Sequence, residues 1–206
     1  MDKKWKKIIR QGAVCISFAV IGAVAFLQYR QERLAERLSE KVLRFHVLAN
    51  SDSKEDQALK LKVRDAIGVY MQQEMKEASN LPASRRIIRE DMDGIVHTAE
   101  SVIAAEGYSY GVSASLARVD FPRKIYGSYT FPPGNYEALQ VSIGQGKGRN
   151  WWCVMYPNMC FFDSVYEEEN EAAVESLQNT LTEEEYTAIM ESGDYEIAYK
   201  LLDFLN

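Results

Sequence analysis

The stretch FPRKIYGSYTFPPGNYEALQVSIGQGKGRNWWCVMYPNMCFFD, Phe121–Asp163, holds four of the chain's five prolines, two of its three cysteines and two of its three tryptophans. It has no His and only two carboxylates, Glu137 and Asp163. No two groups in it can share a proton, whereas a catalytic centre needs a nucleophile, a base or a metal cage brought together. What it offers is aromatic surface, tight turns and a candidate disulfide. It reads as a segment that presents a shape.

Inside this stretch, Glu137–Ile143 (EALQVSI) alternates, with Leu139, Val141 and Ile143 inward. Just upstream, Tyr108–Asp120 alternates too, with Tyr110, Val112, Ala114 and Leu116 on one face. Period-two patterns of this kind predict strands, and these two are expected to pair antiparallel across the Tyr- and Phe-rich connection Arg123–Tyr136. Gly144-Gln145-Gly146-Lys147-Gly148 lacks the Ser/Thr of a P-loop and the helix of a dinucleotide fingerprint, so it is read as a hairpin loop. Trp151–Tyr156 is a strand or short helix of large side chains, turned back by Pro157-Asn158. Cys153 and Cys160 can then pair; extended chain would hold them ~23 Å apart, so the pairing needs that turn. Two buried thiols are the alternative.

Upstream, Val42–Ala49 (VLRFHVLA) predicts another strand, with Leu43, Phe45 and Val47 sharing a face. Asn50-Ser51-Asp52-Ser53 stops it and caps a helix, with Glu55 or Asp56 completing the cap. Leu59, Val63, Ile67 and Tyr70 form that helix's apolar stripe. The end of a strand leading into a helix is a common site of chemistry, but capping accounts for each of these polar residues. Asn80-Leu81-Pro82 breaks the chain. Ser84–Glu106 then reads as a second helix with Ile88, Met92, Ile95, Ala99, Val102 and Ile103 inward and His97 outward. Gly107 suits the left-handed position beyond its end. Arg85, Arg86 and Arg89 make a basic, solvated cluster near its start.

Charge is unevenly spread along the 206 residues. Residues 1–30 carry six Lys/Arg against Asp2, residues 31–162 are nearly balanced, and residues 163–206 carry 13 acidic groups against Lys200. No basic face exists for nucleic acid. The basic run Lys3–Arg10 precedes 15 uncharged residues, Ala13–Leu27. As a helix these span ~22 Å, short of a ~30 Å hydrocarbon core. That length suits a signal peptide, with Ala23-Val24-Ala25 as a cleavage site; an uncleaved signal anchor is the alternative. Either way the basic end stays inside and the rest is exported. Residues 29–41 follow as a charged helical spacer. In the tail, Glu167–Gln178 is an acidic helix candidate and Thr182-Glu183-Glu184-Glu185 a capping box opening another. The apolar end Leu201, Leu202, Phe204 and Leu205 must pack somewhere, and the tail reads as a mobile acidic appendage with weakly docked helices.

The expected fold class is α+β. A small antiparallel sheet is packed by two helices, with an N-terminal export or anchor helix and an acidic helical tail. The expected organisation is 1–28 signal peptide or anchor, 29–41 linker, 42–163 folded domain and 164–206 tail.

Two long segments, LRFHVLANSDSKEDQALKLKVRDAI (Leu43–Ile67) and Phe121–Asp163, resemble stage II sporulation protein R of endospore-forming bacteria, with fitting spacing between them. The resemblance covers about residues 42–163. It implies a signalling protein and not an enzyme, made in the forespore and exported between the two membranes. There it triggers a membrane-embedded aspartic protease of the mother cell, which removes the pro-sequence of sigma factor E. It implies no catalytic residues, no cofactor, no metal and no small-molecule substrate. For such a ligand, Tyr126, Tyr129, Phe131, Tyr136, Trp151 and Trp152 are the expected partner contacts, since aromatic anchors dominate interfaces; at least one of the two tryptophans is expected in the core. The alternative is an extracytoplasmic cysteine hydrolase acting on cell wall, with Cys153 as nucleophile and His46 or His97 as base. A third is an anchored scaffold at the septal membrane.

Overall fold

The computed structural model describes residues 3–76, 78–157, 159 and 171–191. Helix α1 runs unbroken over Lys3–Ser39, followed by strand β1 (Leu43–Leu48) and helix α2 (Lys54–Glu74). Helices α3 (Leu81–Glu90) and α4 (Met92–Ala105) lead into β2 (Val112–Phe121), the short pair β3 (Lys124–Tyr126) and β4 (Tyr129–Phe131), then β5 (Gly134–Ile143) and β6 (Asn150–Tyr156). Two tail helices follow, α5 (Glu171–Thr180) and α6 (Glu183–Glu191).

The class is α+β, but the main sheet is mixed. Its order is β2-β5-β1-β6, with β3 and β4 as a separate hairpin. β2 and β5 pair antiparallel as their alternation predicts, from Val112 opposite Ile143 to Phe121 opposite Gly134. β1 lies between β5 and β6, parallel to the first and antiparallel to the second. Its residues Leu43–Val47 are all buried, as a strand covered on both faces requires. The insertion corrects the reading of residues 144–148 as a hairpin loop. β5 and β6 are not neighbours, so the glycine-rich loop must arch over the end of β1.

On one face, Phe45, Val47, Leu139, Val141 and Ile143 join the core with Leu59, Val63 and Ile67 of α2 and Ile95, Ala99 and Ile103 of α4. The segment 84–106 is two helices, not one. Asn80 caps α3 by accepting from the Ala83 amide at 2.9 Å. The chain breaks at Asp91, whose carboxylate takes the Tyr70 hydroxyl and, with burial, pushes that phenol up to about 12. A Cβ on Gly94 would collide with the Tyr70 hydroxyl and with Asp91 Oδ1, so this glycine lets α4 close on α2. Arg85 and Arg89 pair with Glu137 on β5 and Arg86 with Glu90, so the basic cluster is spent mostly on the fold.

Residues 29–41 are not a free spacer. Leu34, Ala35 and Leu38 are buried, and Ala35 packs on β5 where Gly134 leaves room for it. In the tail, docking of a helix is seen as expected. α6 packs on β4 and α1, burying Leu181 and Ile189. Its capping box forms, with Thr182 Oγ1 accepting from the Glu185 amide and Glu185 accepting from the Thr182 amide. The apolar end at 201–205 lies outside the described residues.

Candidate functional site

Two constellations stand at opposite ends of β1. At its start, Arg44 is fully buried. Its guanidinium carbon lies 4.3 Å from the Phe121 ring centroid, 4.9 Å from Tyr136, 5.1 Å from Phe131 and 5.8 Å from Tyr126. Its Nε donates to the Cys153 carbonyl and its Nη2 to the Tyr126 hydroxyl, both at 2.9 Å, while Nη1 has no partner. The Tyr126 hydroxyl in turn donates to the Trp152 carbonyl at 3.0 Å. The β3–β4 hairpin is the lid of this cage, since Tyr126 and Phe131 come from its two strands. Burial pushes the Tyr136 phenol up to about 12, and burial together with Arg44 lowers Lys124. The rings' negative faces meet a cation that pairs with no carboxylate among the described residues.

The cage decides the fate of the expected contact residues. Tyr126, Phe131 and Tyr136 are buried around Arg44 and are removed from any contact surface in this conformation. Tyr129, Trp151 and Trp152 are half-buried and do not form one patch. Trp151 and Trp152 point to opposite faces of β6. The first meets Phe45 edge-on and carries Arg64 over its ring at 4.9 Å. The second stacks on His46 at 3.8 Å and 6°. Tyr129 sits on β4, beside Tyr186 of α6.

His46, also on β1, is buried and neutral. Burial lowers its pKa to about 4, and the nearby Asn150 side chain offsets this only in part. Neither ring nitrogen has a hydrogen bond of ordinary geometry. In register, Cys153 lies opposite Phe45 and Trp152 opposite His46. Cys153 and His46 therefore project to opposite sides of the sheet, and His97 is exposed on α4. A thiol–imidazole pair is not assembled from them. Cys160 lies outside the described residues, so its pairing with Cys153 is not described. No group of three or more His, Cys, Asp or Glu that could hold a metal occurs among the described residues.

At the other end of β1, Asn50–Ser53 meets the arching glycine loop. Ser53 caps α2 by accepting from the Asp56 amide at 3.1 Å. Asp56 accepts from Ser51 Oγ at 2.5 Å and Asn50 Nδ2 at 2.8 Å, and these bonds, the Ser51 one foremost, outweigh burial and lower its pKa. Asn50 Oδ1 accepts from the Gln145 amide, Asp52 from the Arg149 amide, and the Ala49 carbonyl from the Gly148 amide. Buried Lys60 donates to Gln57 and to the Arg149 carbonyl. The cap expected at Ser53 with Asp56 forms, and Ser51 supports it through Asp56, but Asn50 and Asp52 hold the glycine loop and are not cap residues.

A Cβ on Gly148 would strike the Ser51 carbonyl. Gly148→Ala is expected to cost about 2 kcal/mol, in the range of backbone-forcing substitutions, with the thermal midpoint falling by several degrees; an unchanged midpoint would show that the loop does not need this approach.

Sequence reasoning missed Arg44, Phe121, Asp56 and Lys60 as organising residues. One signal was available for the first: a lone Arg in the middle of an apolar strand, with an excess of aromatics far along the chain.

A family model described as Stage II sporulation protein R matches residues 39–166. Stage II sporulation protein R of Bacillus subtilis (strain 168) is 32% identical over 172 residues, covering 78% of this chain and 77% of that protein. No solved structure matches the chain. The matched residues take in β1 with both constellations at its ends, helices α2, α3 and α4 and the whole sheet, and the chain belongs to the stage II sporulation protein R family.

Proposed function

We propose that this chain is an exported signalling protein of sporulation. It crosses the forespore membrane and activates a membrane-embedded aspartic protease, causing processing of the sigma-E precursor in the mother cell. The observation that carries the reading is the continuity of α1. Its segment Val14–Leu27 is exposed and apolar, and by length and composition the helix can cross a membrane. Two turns further on, the same helix is buried in the family domain through Leu34, Ala35 and Leu38. A domain held this way stays within a few turns of the bilayer where a membrane protease is met, at ~1.5 Å per residue. Contact falls to side chains that remain accessible, among them Trp152, Trp151 and the exposed Ile125 of the hairpin.

The binding test is co-purification. The exported chain, extracted with the protease in mild detergent, should be retained on the tagged protease and lost when Ile125→Asp and Trp152→Ser are combined. Equal recovery with and without the protease would overturn the reading.

Cys153 and Cys160 form a disulfide in this reading, as export allows. Closing so short a loop stabilises by roughly 2–3 kcal/mol. Cys153→Ser and Cys160→Ser should therefore lower the thermal midpoint equally, and no further under reducing conditions. An effect confined to Cys153→Ser would mark a separate role for that thiol.

A further inference from the structure

Helix α6 lies beyond the residues that match the family, yet it covers a surface of the matched domain and of the end of α1. Two cations receive it, Arg37 in the last turn of α1 and Lys41 just beyond that helix. Lys41 Nζ lies 2.6 Å from Glu185 Oε2, and Arg37 reaches Glu184 at 3.2 Å and Glu185 at 3.8 Å. Glu185 is only 3% exposed, a carboxylate sunk into the contact. Burial opposes its charge, but the hydrogen bonds from Lys41 and Thr182 win and hold its pKa below the usual value. Next to it, the Tyr186 and Tyr129 hydroxyls meet at 3.2 Å with their rings edge-on. Ile189, one turn on, is fully buried. The surface thus selects an acidic helix with a Glu–Tyr pair followed by an aliphatic residue, and it does so on the hairpin that closes the Arg44 cage.

We propose that the surface formed by Arg37, Lys41 and Tyr129 is a docking site for an acidic amphipathic helix of a partner protein, with α6 as its built-in occupant. The idea rests on the activator reading only for who the partner is. A tethered helix competes at an effective concentration set by its linker, so the free chain holds its own site closed. An incoming helix of the same chemistry displaces α6 and gains β4.

The probe is a fluorescein-labelled peptide of residues 180–191, TLTEEEYTAIME, titrated by anisotropy against the purified full-length chain. Glu185→Lys in the chain should release α6 and tighten peptide binding at least tenfold over the unaltered chain. Adding Lys41→Glu should abolish the gain. Tyr186→Ala, with its circular dichroism compared to the parent, serves if Glu185→Lys fails to fold. Equal binding by the parent and the released variants, or binding indifferent to Lys41→Glu, would overturn the proposal. The readout uses no protease, so it decides the surface whatever becomes of the activator reading.

Discussion

Arg44→Ala is expected to be the most damaging single substitution in the domain, costing about 3–5 kcal/mol, the upper range for emptying a packed core position. The change removes a fully buried side chain ringed by Phe121, Tyr126, Phe131 and Tyr136. It also removes the guanidinium's two buried hydrogen bonds, to the Tyr126 hydroxyl and to the Cys153 carbonyl, and losing a charged donor from a desolvated site adds to the cost of the emptied space. Arg44→Met tests the argument from the other side. It fills the space without a charge, and buried charges can be exchanged for apolar side chains at little cost. It should lose much less than Arg44→Ala. Urea unfolding checks both; an Ala variant within about 1 kcal/mol of the parent would show that the cage does not hold the hairpin.

His46 gives the second large effect, and it is tied to pH. Its pKa is lowered from 6.5 to about 4 by burial. The unfolded chain therefore binds a proton between these values that the folded chain refuses. Stability is full above pH 6.5 and falls as pH drops toward 4, by about 3 kcal/mol in all at 1.36 kcal/mol per unit. His46→Leu should remove this slope while leaving stability at neutral pH near the parent's, because neither ring nitrogen makes a hydrogen bond of ordinary geometry. Asp56 and Glu185 are also held below their ordinary values and add their own acid losses, but both variants share them. A parent and His46→Leu with parallel pH profiles would contradict the buried, neutral imidazole.

Local signals carried far in this chain. The Ser53 cap, the Thr182 capping box, the strand pair β2–β5 and the apolar stripes of the helices were all readable, since each is decided within a few residues. The mixed sheet was not. The parallel pairing of β1 with β5 depends on a connection through three helices and three strands, and nothing in VLRFHVLA announces which neighbours it will take. That one placement also accounts for the buried aromatics and for the glycine loop. With β1 in the centre, its second face must be covered, so Arg44 and His46 go inside and the hairpin's Tyr126 and Phe131, with Tyr136, turn inward to meet them. The same aromatic excess that suggested a binding surface is largely what a buried guanidinium requires. The glycine loop likewise owes its composition to crossing β1's end at close range.

At the centre of the proposed function is activation of the protease by the exported chain. The most direct measurement is reconstitution in a non-sporulating host that makes the membrane-embedded aspartic protease, the sigma-E precursor and this chain. Precursor size is followed on a gel. Shortening that requires both the protease and the exported chain, and that survives Cys153→Ser with Cys160→Ser under conditions where the domain stays folded, is the result expected of a ligand that acts by docking. A precursor of unchanged length, with all three proteins made and this one exported, would contradict the account.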